Sequence, residues 1–224
     1  MVLLLALLFA TGPASGIPQT QQPPEAAAPV IAKLRGIADR ASVIEAIAGM
    51  GEVDRAMRTS MLEATRNLPP EQRSKVQAQA GLIINEQDRT HAERLKGIIA
   101  EHGWPKISET SERTAATAVT IANHSDDVDF QRQVLALLEP LAKVREARPE
   151  DYARLYDRVA TIDRRLQRYG TQGTTCHEGK YAVPNDLEAP EGLDVRRAAM
   201  GLQPMAEYLA SMDKIYGACV SPPR

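Results

Sequence analysis

His124 closes a stretch, residues 114–125, with no charged side chain when its imidazole is neutral. Read as a helix, the stretch puts Ala115, Ala118, Val119 and Ala122 on one apolar stripe. Thr117, Thr120 and His124 fall on roughly the opposite face. A solvated face normally carries Lys or Glu; this one carries two hydroxyls and an imidazole. The helix is therefore expected to be covered on both sides, with His124 partly buried at its C-terminus. There the helix dipole favours the protonated ring and burial opposes it. An imidazole so placed is a candidate acid or base, and a hydrogen-bonded structural histidine is the plain alternative.

Asp88 and His91 form a second set. Three residues apart on one helix, they lie in register with Ile84 and Leu95. The carboxylate can orient the imidazole, or the pair can set the register of a helix seam. His102 is about three turns further along the same face. With His124 these are metal-ligand types, but no HExxH or comparably specific spacing is present, so no metal or cofactor is expected. The string YGTQ adds a phenol, Tyr169, and an amide, Gln172, on irregular backbone, where binding groups often sit. Arg158 borders an apolar stripe, while Asp157 is expected to point away from it, towards solvent or a neighbouring arginine. Arg196 and Arg197 stand in the first turn of a helix, where cations are electrostatically misplaced, which suggests an anionic partner. No GxSxG and no phosphate-cradling glycine loop is present.

The elements that must position these groups are helical. Val30, Leu34, Ile37, Ala41, Ile44 and Ala48 recur at steps of four and three, and Gly51 is expected to end that helix. A second helix follows to about residue 68, carrying Val53, Met57 and Met61. Pro69 and Pro70 open a long helix over 71–101, which Gly103 and Pro105 stop. Ser108 or Ser111 caps the His124 helix. The next helix is expected to break near Pro140, and Pro149 starts another with Tyr152, Leu155, Val159 and Ile162 inward. Residues 168–173 are expected to pair with 179–184 as a small hairpin. Two short helices separated at Gly201–Pro204 finish the chain. The fold class is mainly α: a helical hairpin or arm over 30–87, then a compact helical bundle over 88–224 with one β-hairpin-like excursion.

The apolar run at residues 1–10 and the small residues Ala14 and Gly16 have a signal-peptide shape over 1–16, too short for a stable membrane span. Residues 17–29 hold four prolines and read as a linker. Export to the periplasm or medium is the expected localisation. Cys176 and Cys219 are the only cysteines. In an oxidising compartment they are expected to join in a bond contributing ~4 kcal/mol by chain entropy, with two free thiols as the alternative. Lys+Arg at 27 and Asp+Glu at 29 nearly balance, without the basic excess of a nucleic-acid binder.

Residues 88–208 resemble an uncharacterised bacterial domain family of unknown function. The likeness rests on Asp88 and Leu95, on His102-Gly103-Trp104-Pro105, on His124, on Tyr152-Ala153 with Leu155 and Asp157-Arg158, and on Tyr169-Gly170-Thr171-Gln172. It continues through Asp194, Arg196-Arg197, Gly201-Leu202, Pro204 and Glu207-Tyr208. His91 stands where that family tends to have Asn, Ser111 and Arg164 replace glycines, and Asn123 replaces Gln. The resemblance implies a fold and a shared polar set, and no reaction.

His124, His102 and Tyr169 are the candidate catalytic groups. Arg158, Gln172 and Arg197 are expected to converge with them, and Trp104 to form a wall. That donor-rich set suits a small anionic or carbonyl-bearing ligand. The competing expectation is a scaffold in which the same residues form a structural network and residues 30–87 meet a protein partner or a second copy.

Overall fold

The structure, a computed structural model, describes residues 28–216 and Cys219. The expected signal peptide, and the expected linker up to residue 27, lie outside the described residues. The chain forms α1 (Ala28–Thr65), α2 (Pro70–His102), α3 (Glu112–His124), α4 (Val128–Lys143) and α5 (Pro149–Ile162). An antiparallel pair follows, β1 (Thr175–His177) with β2 (Lys180–Ala182), then α6 (Leu193–Ala199) and α7 (Met205–Tyr216). The fold is mainly α, with one small sheet among the described residues. No described helix is long and apolar enough to cross a membrane.

By its backbone contacts the chain divides into a unit ending at Ala38 and a unit starting at Asp39. In the first, Val30, Leu34 and Ile37 of α1 are exposed. In the second, Val43, Ile47 and Met50 of α1 share one core with Leu95 of α2, Ala118 and Ala122 of α3, Val134 and Leu138 of α4, and Leu155 and Val159 of α5. The core is mainly aliphatic, with Trp104 and Phe130 as its buried aromatics. The domain boundary read at residue 88 falls inside α2.

Three local expectations are corrected. Gly51 does not end a helix; α1 runs through it. A Cβ there would stand 2.4 Å from Cγ2 of Thr117, so this glycine serves the close approach of α3. The buried stripe of α1 is correspondingly Val43, Ile47 and Met50, while Ala41 and Ala48 are exposed. Pro140 does not break α4, which continues to Lys143. It removes one intrahelical bond, but Pro140 and Ala136, whose carbonyl loses its partner, both face solvent. The hairpin is Thr175–His177 against Lys180–Ala182, with Cys176 opposite Tyr181. It turns through Glu178 and Gly179, both at positive φ, as tight hairpins require.

HGWP is a helix stop that redirects the chain. His102 is the last residue of α2, and the Gly103 N–H donates to the Ile99 carbonyl at 2.9 Å. Gly103 takes φ 77° and ψ −174°, a region open essentially to glycine alone. The turn drops Trp104 into the core, 5% exposed. Ser111 then caps α3, its hydroxyl accepting from the Thr114 N–H at 3.0 Å.

An added Cβ at Gly103 meets nothing within 4 Å, so Gly103→Ala isolates the backbone strain. We expect a loss of about 1–3 kcal/mol, measured as a lower urea midpoint with an unchanged slope.

Candidate functional site

The inward stripe of α1 continues, at helical spacing, from Met50 onto a charged residue. Asp54 is only 8% exposed, and Arg58 is one turn further along. On α2 the stripe Ile84, Asp88, His91 and Leu95 is buried throughout. On α3 the last residue is His124, whose side chain is 26% exposed. Three helices thus bring two carboxylates, a guanidinium and an imidazole together.

Arg58 is the centre of the cluster. Its Nη2 donates to both Asp88 oxygens, at 2.8 and 2.7 Å, and its Nε donates to Asp54 Oδ1 at 3.0 Å. His124 Nδ1 lies 2.8 Å from the same Asp54 oxygen and 3.1 Å from Arg58 Nε. Nδ1 cannot both donate to Asp54 and accept from Arg58. The shorter contact is to the carboxylate, and Arg58 Nε already bonds Asp54. The proton therefore belongs on Nδ1, shared with Asp54, and Nε2 carries the lone pair. Among the described residues Nε2 has no hydrogen-bond partner. A carboxylate behind Nδ1 and an open Nε2 is the arrangement of an oriented general base.

Burial pushes the Asp54 carboxyl up, but its hydrogen bond with His124 and the neighbouring positive charge, Arg58 included, hold it below the usual carboxylate value. Asp88 does not orient His91, since both its oxygens face Arg58. Instead Gln87 Nε2 donates to His91 Nε2 at 2.8 Å. Burial lowers the His91 pKa, against the opposing charges of Asp54 and Asp88. Asp54, Asp88 and His124 also offer three metal-ligand atoms within 4.8 Å of one another, a set suited to a divalent transition metal. Arg58 hydrogen-bonds both carboxylates and supplies positive charge there, so an ion entering would have to displace it.

Two hollows meet along Thr117 and Thr120 of α3. One, of about 290 Å³, is lined by Gly51, Asp54, Arg58 and Ile121. The other is a groove of about 650 Å³ lined by His124, Asn123, Arg113, Arg148, Asp151 and Arg154, with Glu112 at its rim. Three arginines face two carboxylates there. Arg148 pairs closely with Asp151, at 2.9 Å, while Arg154 lies 3.8 Å from it. Thr120 is exposed and Thr117 half-buried. This face of α3 is therefore a groove wall, not a covered seam, which corrects the expectation of burial on both sides.

The remaining side chains singled out by sequence lie elsewhere. Asp157 is fully buried, contrary to the solvated position expected. It accepts from the N–H groups of Arg168, Tyr169 and Thr171, at 2.8, 3.1 and 2.9 Å, and from the Thr171 hydroxyl at 2.9 Å. YGTQ cannot pair as a strand because these donors are spent on Asp157, and the Gln172 N–H on Gln167. Arg197 is 1% exposed; it donates to the carbonyls of Tyr169 and Gln203, at 2.7 and 2.8 Å, and lies over the Tyr208 ring. Its partner is backbone, not an external anion. Tyr169 meets Tyr156 edge-on and lines a separate hollow of about 390 Å³ with Tyr152, Arg168 and Met200. The Gln172 amide reaches the Arg154 carbonyl at 3.5 Å. Trp104 Nε1 and Arg158 Nε are buried without a hydrogen-bond partner. His102 lies 3.7 Å from Glu101 at the end of α2. Tyr169 and Arg197 are thus brought together, while His124 belongs to a different set. Asp54 and Arg58 were missed by sequence reasoning, although Asp54 is signalled by its register with Ile47 and Met50.

Residues 42–221 match the model of a family of unknown function, DUF6624. The chain belongs to that family. The matched span holds every residue of the Arg58 cluster and of the YGTQ network. No curated protein and no solved structure matches the chain.

Asp88→Asn leaves Arg58 with one full counter-charge instead of two. Breaking a buried pair costs several kcal/mol, but Arg58 is 31% exposed, so we expect a loss of about 2 kcal/mol in urea unfolding at pH 7. His91 gives a pH signature. Its folded pKa lies below the unfolded value of about 6.5, so between the two the unfolded chain binds more protons. Stability is therefore full above that value and falls as pH drops through the interval. His91→Asn should flatten the stability profile between about pH 7 and 5, measured by urea midpoints across that range.

Proposed function

We propose that this chain binds a small anionic or carbonyl-bearing ligand in the groove beside His124, and that the Asp54–His124 pair moves a proton to or from it. The observation that carries this reading is the 2.8 Å contact of His124 Nδ1 with Asp54, which leaves Nε2 free beside a groove with arginines on its walls. Nε2 accepts a proton from the ligand, and Asp54 stabilises the imidazolium that results. Arg113 and Arg154 hold the negative charge of the ligand. Arg58 keeps Asp54 ionised and in place, so it positions the base without touching the ligand. A site in an oxidising compartment outside the cytoplasm accords with the Cys176–Cys219 disulfide.

A second reading, an interaction protein, draws on one observation. Val30, Leu34 and Ile37 on α1, and Leu82 and Ile83 on α2, are large apolar side chains left exposed, the kind of surface that a partner or second copy buries.

The test is a side-chain ¹⁵N spectrum of the histidines during titration with acetate, malonate and pyruvate. The His124 Nε2 resonance should move saturably with at least one of them, and Arg154→Gln should weaken that response about tenfold. If none of the three moves His124, or if Arg154→Gln leaves the response unchanged, the reading is wrong.

A further inference from the structure

A cavity of about 670 Å³ lies away from the His124 groove, between the α1–α2 turn and the β-hairpin. Its walls include Arg66, Arg73, Gln77, Tyr181 and Asn185, and the Cys176–Cys219 disulfide closes one side. Among the described residues no Asp or Glu lines it. Among the described residues neither Arg66 nor Arg73 forms an ion pair. Several other arginines of the same chain are paired, Arg132 with Asp129 and Asp163, Arg148 with Asp151 and Arg168 with Glu188.

Arg73 is held in place. Its Nη2 donates to the carbonyls of Arg66 and Leu68, at 3.2 and 3.3 Å. Those bonds anchor the guanidinium against the helix turn but leave its charge uncompensated. Its Nε is buried and has no acceptor. A buried donor without a partner costs about 1–3 kcal/mol, and an arginine fork matches an oxyanion in both charge and geometry. Arg66 is exposed and adds a second positive charge at the mouth. The amides of Gln77 and Asn185 supply neutral donors, and Tyr181 a partly buried ring. Among the described residues the cavity is thus a cationic, donor-rich hollow.

We propose that this cavity is a second ligand site, which takes a small molecule through a carboxylate or phosphate group held by Arg73 and Arg66. The site is independent of the Asp54–His124 pair and stands whether or not that pair moves a proton. Arg73 is the inner anchor, because its guanidinium is already fixed and gives up little freedom on binding. Arg66 attracts the anion and completes its neutralisation.

The experiment is isothermal titration calorimetry on the full chain with its disulfide intact, using inorganic phosphate and succinate as probes at constant ionic strength set with chloride. At least one probe should give saturable heat. Arg66→Gln, an exposed change that leaves the α1–α2 turn intact, should raise the Kd about tenfold. Arg73→Gln should abolish the heat, and Arg154→Gln, in the other groove, should leave it unchanged. Absence of saturable heat with both probes overturns the proposal. So does binding that survives Arg66→Gln and Arg73→Gln undiminished, or binding that Arg154→Gln removes. Should Arg73→Gln fail to fold, the Arg66→Gln comparison still decides.

Discussion

One guanidinium holds three helices in register. Arg58 of α1 reaches Asp88 on α2 with one nitrogen and Asp54, the neighbour of His124, with another. Taken singly, each of these charges is expensive where it stands: Asp54 and Asp88 are both nearly buried, and an isolated carboxylate there would shed its charge or move outward. Together they satisfy one another. The arrangement is directional, because a planar fork accepts carboxylates only along its N–H bonds. It therefore fixes the rotation and height of α1 and α2 against the end of α3 more tightly than apolar packing alone can. Gly51, one turn before Asp54, lets Thr117 of α3 approach closely enough for the contact to form.

Another buried carboxylate, Asp157, organises the other half of the molecule. Asp157 gathers four donors from residues 168–171, and Arg196 and Arg197 collect carbonyls from the same stretch, Arg168 and Tyr169 respectively. Irregular backbone normally has to stay at the surface, since its polar groups lack regular partners. Here side chains from α5 and α6 supply those partners, so YGTQ can run through a buried place without becoming a strand. HGWP and YGTQ, the two most distinctive strings of the chain, do different work. HGWP turns the chain and delivers Trp104 to the core, and YGTQ is a backbone segment that a buried aspartate and two arginines hold. Neither contributes a side chain to the Asp54–His124 cluster.

How far the sequence could be read differs between elements for identifiable reasons. The helices beginning at Pro70, Ser111 and Pro149 were legible because their start signals are local: a proline or a hydroxyl at a first turn acts within three or four residues. The stop at Gly103 was legible for the same reason. Gly51 and Pro140 misled because each was read by its local preference, while the actual constraint was the approach of another helix in one case and solvent exposure in the other. Arg164 shows the limit from the opposite side. It takes φ 56°, the left-handed region that favours glycine, the residue that the family resemblance associates with its position. Among candidate groups, His124 was legible because an uncharged polar face on a short helix is unusual. Asp54 was not, because a charged residue in register with an apolar stripe has the same sequence pattern as a residue at the stripe's solvated end.

By itself, the sequence determined where the helices capped or opened at Pro70, Ser111 and Pro149 begin, that the core is mainly aliphatic, which two cysteines can pair, and that the chain has a family. These depend on residue type and short-range spacing, which survive in any arrangement of the elements. Tertiary structure alone decided that Asp54, 70 residues from His124 in the chain, would stand behind its imidazole, that Asp157 would be buried, and that Arg197 would be spent on carbonyls. Each of those outcomes depends on which polar groups meet once water is excluded. Burial raises the cost of every unpaired charge, so the partner a charge finds across the fold, and not its neighbour in sequence, settles its role.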